Sequence, residues 1–126
     1  MKKEEISNIN IQLIATYLFI FSLFISLIIT YNDRHKTIYG KGFLSKDLNY
    51  KISVLNRILI LGISFAYLYV NFKNKEFSKI KGNDTSAFNL QIMASELSIL
   101  AALIVTYVVI TSGEYSIVTS SENPGL

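Results

Sequence analysis

Residues 11–30 read IQLIATYLFIFSLFISLIIT without a single charged side chain, and that run already limits the architectures open to the chain. A helix rises ~1.5 Å per residue, so about 20 residues cross a hydrocarbon core of roughly 30 Å. Two further blocks match it. Residues 52–72, ISVLNRILILGISFAYLYVNF, contain Arg57, and residues 88–112, FNLQIMASELSILAALIVTYVVITS, contain Glu96. Each block is apolar around most of its circumference, unlike the single stripe of a soluble amphipathic helix. None alternates as the strands of a membrane barrel do. The expected fold is an all-α polytopic membrane protein with three transmembrane helices, about 11–31, 52–72 and 88–112, in an antiparallel bundle. Basic loops at 32–51 and 73–87 and a polar C-tail at 113–126 complete a single membrane domain over 1–126.

Composition removes several chemistries. Cysteine is absent and His35 is the one histidine, so disulfides, thiolate metal sites and histidine acid–base work have almost no raw material. No Gly-rich phosphate loop, paired-carboxylate motif, nucleophile elbow or HExxH occurs, so neither an enzyme nor a cofactor is expected. The first block is longer than a signal-peptide core and is followed by YNDRHK rather than a small-residue cleavage site. It reads as a retained helix. No acylation motif accompanies it, since residue 2 is Lys2 and no cysteine is present.

Helix ends are legible in part. Ser45 suits an N-cap, with Asp47 in the first turn and Leu48, Ile52, Leu55 and Leu59 continuing an apolar face. Gly82 suits the position just past a helix. A second helix over 46–81 would be on the order of 54 Å long, well beyond the bilayer core. Its excess, NFKNKEFSKIK, is expected to enter the interface, with Phe72, Phe77 and Ile80 on lipid and the lysines on headgroups. Asn83 and Asp84 make a turn, Ser86 is the expected cap of the third helix, and Gly40 to Gly42 break the first from the second.

Orientation rests on the lysines and arginines. Lys2, Lys3, Lys73, Lys75, Lys79 and Lys81 lie on one side. Arg34, Lys36, Lys41, Lys46 and Lys51, with Arg57 marginal, lie on the other. The near tie is broken by the tail, which carries Glu114 and Glu122 but no basic residue from Gly113 onward. The N-terminus is therefore read as cytoplasmic and the C-terminus as outside, in the cell membrane. The net charge of +3 suits anionic lipid headgroups better than nucleic acid, because the basic residues flank membrane segments. Tyr17, Tyr31, Tyr50, Tyr69, Tyr107 and Tyr115 fit interfacial belts, while Tyr67, Tyr69 and Asn71 offer an alternative polar route.

Two intramembrane charges stand out. Glu96 sits about eight residues, roughly 12 Å, into the third helix. A carboxylate there costs about 2.5 kcal/mol or more on insertion scales. It marks a proton or cation site or a partner anchor, unless it lies near the interface beside Gln91 and Ser95 or pairs within the bundle. Arg57 lies about five residues from the opposite end of the second helix, where its stem can snorkel. The sharper expectation is an Arg57–Glu96 pair, across a gap of roughly 10 Å that two leaning side chains nearly close.

Small residues recur at four-residue spacing: Ser22, Ser26 and Thr30 with Ala15 in the first helix, Gly62 and Ala66 in the second. The third has Ala94, Ser98, Ala102 and Thr106. Such faces let helices approach closely in lipid. They serve either the internal bundle or a second copy or membrane-protein partner.

The run NRILILGISFAYLYVNFKNKE, followed by a third hydrophobic helix in an Ile-, Lys- and Asn-rich chain, resembles small uncharacterised membrane proteins of low-GC Gram-positive bacteria. The resemblance is one of texture over the whole chain, and it implies no activity. Three roles follow from the residues. The first is a structural or accessory membrane subunit. The second is a phage-type holin, similar in size and helix number, although holins usually end in a basic tail and this chain ends SENPGL. The third is a small transporter or channel using Glu96, similar to the membrane carboxylate of small multidrug exporters, which however have four helices and carry that acid in the first.

Overall fold

The computed structural model describes residues 2–112. They form three helices: α1 (Lys2–Tyr39), α2 (Lys46–Ile80) and α3 (Ser86–Ser112). All three are long and apolar enough to cross a membrane. The C-tail at 113–126, with Tyr115, Glu114 and Glu122, lies outside the described residues.

Local chemistry sets the helix ends. Helix α1 runs well past the apolar block at both ends because neither glycine nor proline interrupts it before Gly40. Glu4 and Glu5 in its first turn and Lys36 in its last complement the helix dipole. Gly40, at φ +81°, stops it and donates its N–H to the Lys36 carbonyl at 2.8 Å. Ser45 caps α2 by accepting from the Leu48 N–H at 3.1 Å. The far end of α2 closes with two bonds around Gly82, at φ +78°. Gly82 donates to Lys79 at 3.1 Å and Asn83 to Ser78 at 2.9 Å. Helix α3 departs from expectation, since Ser86 is its first helical residue rather than its cap. Thr85 holds the cap position, its carbonyl accepting from Asn89, while Asp84 accepts from both the N–H and the hydroxyl of Ser86.

Helix α2 is central and packs antiparallel against both neighbours. Glu5 meets Lys81 at 2.8 Å across the α1–α2 pair, and Tyr50 donates to the Ile110 carbonyl at 2.7 Å across the α2–α3 pair. The seams follow a period of seven. Asn8, Ala15, Ser22 and Ile29 are buried on α1, and Asn56, Ile63, Val70 and Phe77 on α2. Ile92, Ile99 and Thr106 continue the pattern on α3. A seven-residue repeat keeps one seam facing its partner through a left-handed supercoil. One interfacial expectation changes. Phe72 and Ile80 are exposed, but Phe77 is buried, because the N-terminal turns of α1 are helical and cover that side of α2.

Inside and outside are inverted relative to a water-soluble domain. Nine buried side chains are apolar and nine are polar or charged among the described residues. Large apolar groups such as Tyr17, Phe21, Phe24, Leu97 and Ile104 are exposed. A polar interior under an oily surface suits hydrocarbon as the solvent, where backbone and side-chain polar groups must be satisfied internally.

Candidate functional site

The buried polar groups are organised along α2. Towards α1 they form layers at successive heights. Asn8 donates to the Asn74 side-chain oxygen at 2.9 Å and to the Val70 carbonyl at 3.4 Å. On the exposed flank of the seam Thr16 and Tyr67 share a hydroxyl–hydroxyl bond of 2.9 Å. Deeper still, Asn56 is fully buried and bridges two serines. It accepts from Ser22 at 2.7 Å and donates to Ser26 at 2.9 Å. Ser53 and Arg57 flank Asn56 one turn apart, and both are buried. At the top of the seam Asn32 accepts from the Leu44 N–H at 2.9 Å, and Gly42 lies so close that a Cβ there would collide with the Asn32 amide.

Ser22 and Ser26 sit in the α1–α2 seam for a clear reason. A small side chain lets the backbones close, and a hydroxyl satisfies the asparagine opposite. Ala15 is buried with them, whereas Thr30 is exposed and bonds back to the Ser26 carbonyl. The remaining small residues divide. Gly62 faces open space, with no atom within 4 Å of where a Cβ would stand. Ala66 and Ala102 are half-buried, and Thr106 is buried. Ala94 and Ser98 are exposed, on the wall of a cleft of about 340 Å³. Phe19 of α1, Ile60, Ser64, Tyr67 and Asn71 of α2, and Ser95 of α3 also line that cleft. Across it Asn71 donates to the Ser95 hydroxyl at 2.7 Å.

The two intramembrane charges are not brought together. Arg57 is 4% exposed, inside the bundle rather than snorkelling outward. Glu96 is exposed on α3 and joins no ion pair among the described residues. The Asn71–Ser95 and Tyr50–Ile110 bonds together place Glu96 opposite residues 64–70 of α2. Arg57 lies roughly 10–20 Å from that level along α2. The face each charge takes separates them: Arg57 is buried in the bundle and Glu96 is exposed, and block lengths alone do not fix that. Glu96 also lies off the cleft wall.

The sequence reading passed over Asn8, Asn32, Asn56 and Asn74. Their signal was present. Asn8 and Asn56 each stand in step with the seven-residue repeat of their helix, and Asn56, an amide inside an apolar block, needs a partner helix to satisfy it.

Comparison with known proteins brings no match to a family model, a curated protein or a solved structure. Fold and site together define the class: a small multi-pass membrane protein of three apolar helices joined by buried amides and hydroxyls.

Proposed function

We propose that this chain is a non-catalytic accessory subunit of the cell membrane, N-terminus inside, that seats a helix of a second copy or of another membrane protein against α3. One observation carries the reading. Ala94 and Ser98 form a small-residue edge that the internal packing leaves exposed on an open cleft, while the equivalent edge of α1, Ser22 and Ser26, is consumed within the chain. Small residues favour close helix approach in lipid, where apolar surface alone provides no drive to associate.

The absence of native cysteine makes the test clean. Ser98→Cys in the full chain is expected to form a covalent dimer or an adduct with a co-purifying membrane protein under mild oxidation in native membranes. Gly62→Cys, on the outer face of α2, is the control and is expected to stay uncrosslinked. Equal crosslinking at both positions, or none at Ser98→Cys, overturns the proposal. Growth arrest with dye entry on expression would favour a holin instead. Proton flux or efflux lost in Glu96→Gln would favour transport.

A further inference from the structure

The first-loop end of α1 holds a second cleft, of about 410 Å³, unrelated to the α3 edge. Its lower wall is Ile28 and Tyr31, within the expected span, and its upper wall is Arg34 and His35, about one turn beyond it. Phe43, on the loop that Gly40 turns back over the helix, closes the side. His35 is held in place. Its Nδ1 lies 2.8 Å from the Lys41 carbonyl, so that nitrogen carries the proton, and its ring packs 4.6 Å from Tyr39 and 5.8 Å from Phe43. Nε2 is left facing away from that bond. Arg34 is exposed and has no ion pair among the described residues, unlike Lys51, which is held by Asp47 at 3.0 Å. Between residues 32 and 45 the cations Arg34, Lys36 and Lys41 accompany one acid, Asp33, which is half-buried.

We infer that this cleft is a site for one anionic phospholipid, its phosphate on Arg34 and the start of an acyl chain along Ile28 and Tyr31 against Phe43. From Ile28 and Tyr31 to Arg34 the lining passes from apolar to cationic before Ile38 and Tyr39 close the far end, and that passage matches the order of groups in a phospholipid at the membrane boundary. The guanidinium supplies a planar fork suited to a phosphate, and the apolar walls exclude a merely hydrated anion. The inference rests on the chain crossing a bilayer but not on any protein partner.

The experiment uses the full chain purified in detergent, with lipid retention read by native mass spectrometry. The probes are phosphatidylglycerol, phosphatidylcholine with the same acyl chains, and inorganic phosphate. The wild type is expected to retain phosphatidylglycerol about fivefold over phosphatidylcholine, the factor that one cation at an anionic surface supplies. Arg34→Gln is expected to lose that preference and Arg34→Lys to keep part of it. Lys79→Gln, at the other end of the molecule, is expected to keep all of it. Phe43→Ala is expected to lower retention of both lipids. Equal retention of the two lipids by the wild type, or an undiminished preference in Arg34→Gln, overturns the site. So does inorganic phosphate competing the lipid off, which would reassign the cleft to a free anion. Recovery of the chain from the membrane fraction is scored separately, so failure of the bilayer reading is told apart from failure of the site.

Discussion

The two sides of α2 are built differently. Towards α1 the contact is a polar seam, with side-chain pairs at Asn8–Asn74 and at Ser22–Asn56–Ser26 and with Ile25 and Ile29 packed against Ile52 and Leu59. Towards α3 it is mainly aliphatic, Ile92, Ile99 and Val109, with one side-chain pair at Asn71 and Ser95 and an open cleft beside it. Polar pairs fix register and partner choice at close range, while aliphatic packing tolerates sliding. The α1–α2 hairpin is thus the half whose register is set by buried polar pairs, and α3 carries a small-residue edge left open.

That difference is broken most sharply by filling each small-residue edge in turn. Ser22 is fully buried and 2.7 Å from Asn56. Ser22→Leu forces three carbons into a closed seam and removes a hydrogen bond, so it is expected to cost about 3 kcal/mol in unfolding from mixed micelles. Ser98→Leu, on the open edge, is expected to stay within about 0.5 kcal/mol of wild type in the same assay. Similar losses at both positions would mean that the α3 edge is covered within the chain.

Removing the polar partners sharpens the contrast at lower amplitude. Asn56→Ala deletes two buried side-chain bonds, and interhelical bonds in membranes average about 0.6 kcal/mol with a ceiling near 1.7. A loss of about 1–2 kcal/mol is expected. Asn71→Ala deletes one half-buried bond and is expected to cost about 0.6 kcal/mol. An equal loss in the two variants would deny that the α1 side is the more strongly specified.

The sequence carried the three helices, the ends of α2 and the smallness of the α1 edge, because each is a local property: a run length, a cap, a spacing. It did not carry the depth of one helix against another. Asn56 finds two serines only because α1 and α2 run antiparallel at one register, and no local rule states that register. The Arg57–Glu96 pair turns on the same non-local placement, and here Arg57 is buried in the bundle while Glu96 is exposed. A double-mutant cycle with Arg57→Gln and Glu96→Gln is therefore expected to be additive within about 0.5 kcal/mol. A larger coupling would mean that α3 slides in the bilayer until the two meet.

The smallest expected effect concerns the link between the two halves. Asp84, in the α2–α3 turn, accepts from the Ser86 hydroxyl at 2.9 Å and the Ser86 N–H at 3.1 Å. These bonds, the hydroxyl first, hold its carboxyl below the usual carboxylate range. A carboxyl lowered by folding binds its proton more readily when unfolded. Its contribution to stability is therefore complete above the unfolded value of about 3.9 and disappears as pH falls through the lower folded value. Asp84 is fully solvent-exposed, so the effect is confined to the first turn of α3. Amide exchange at Ser86 is expected to quicken between pH 4 and pH 2 by more than the intrinsic pH dependence in the wild type, and not in Asp84→Asn. The Ser22–Asn56–Ser26 layer in the same molecule contains no carboxylate and is expected to keep its protection across that range, so a uniform loss along both halves would show that acid loosens the whole bundle rather than the α2–α3 turn.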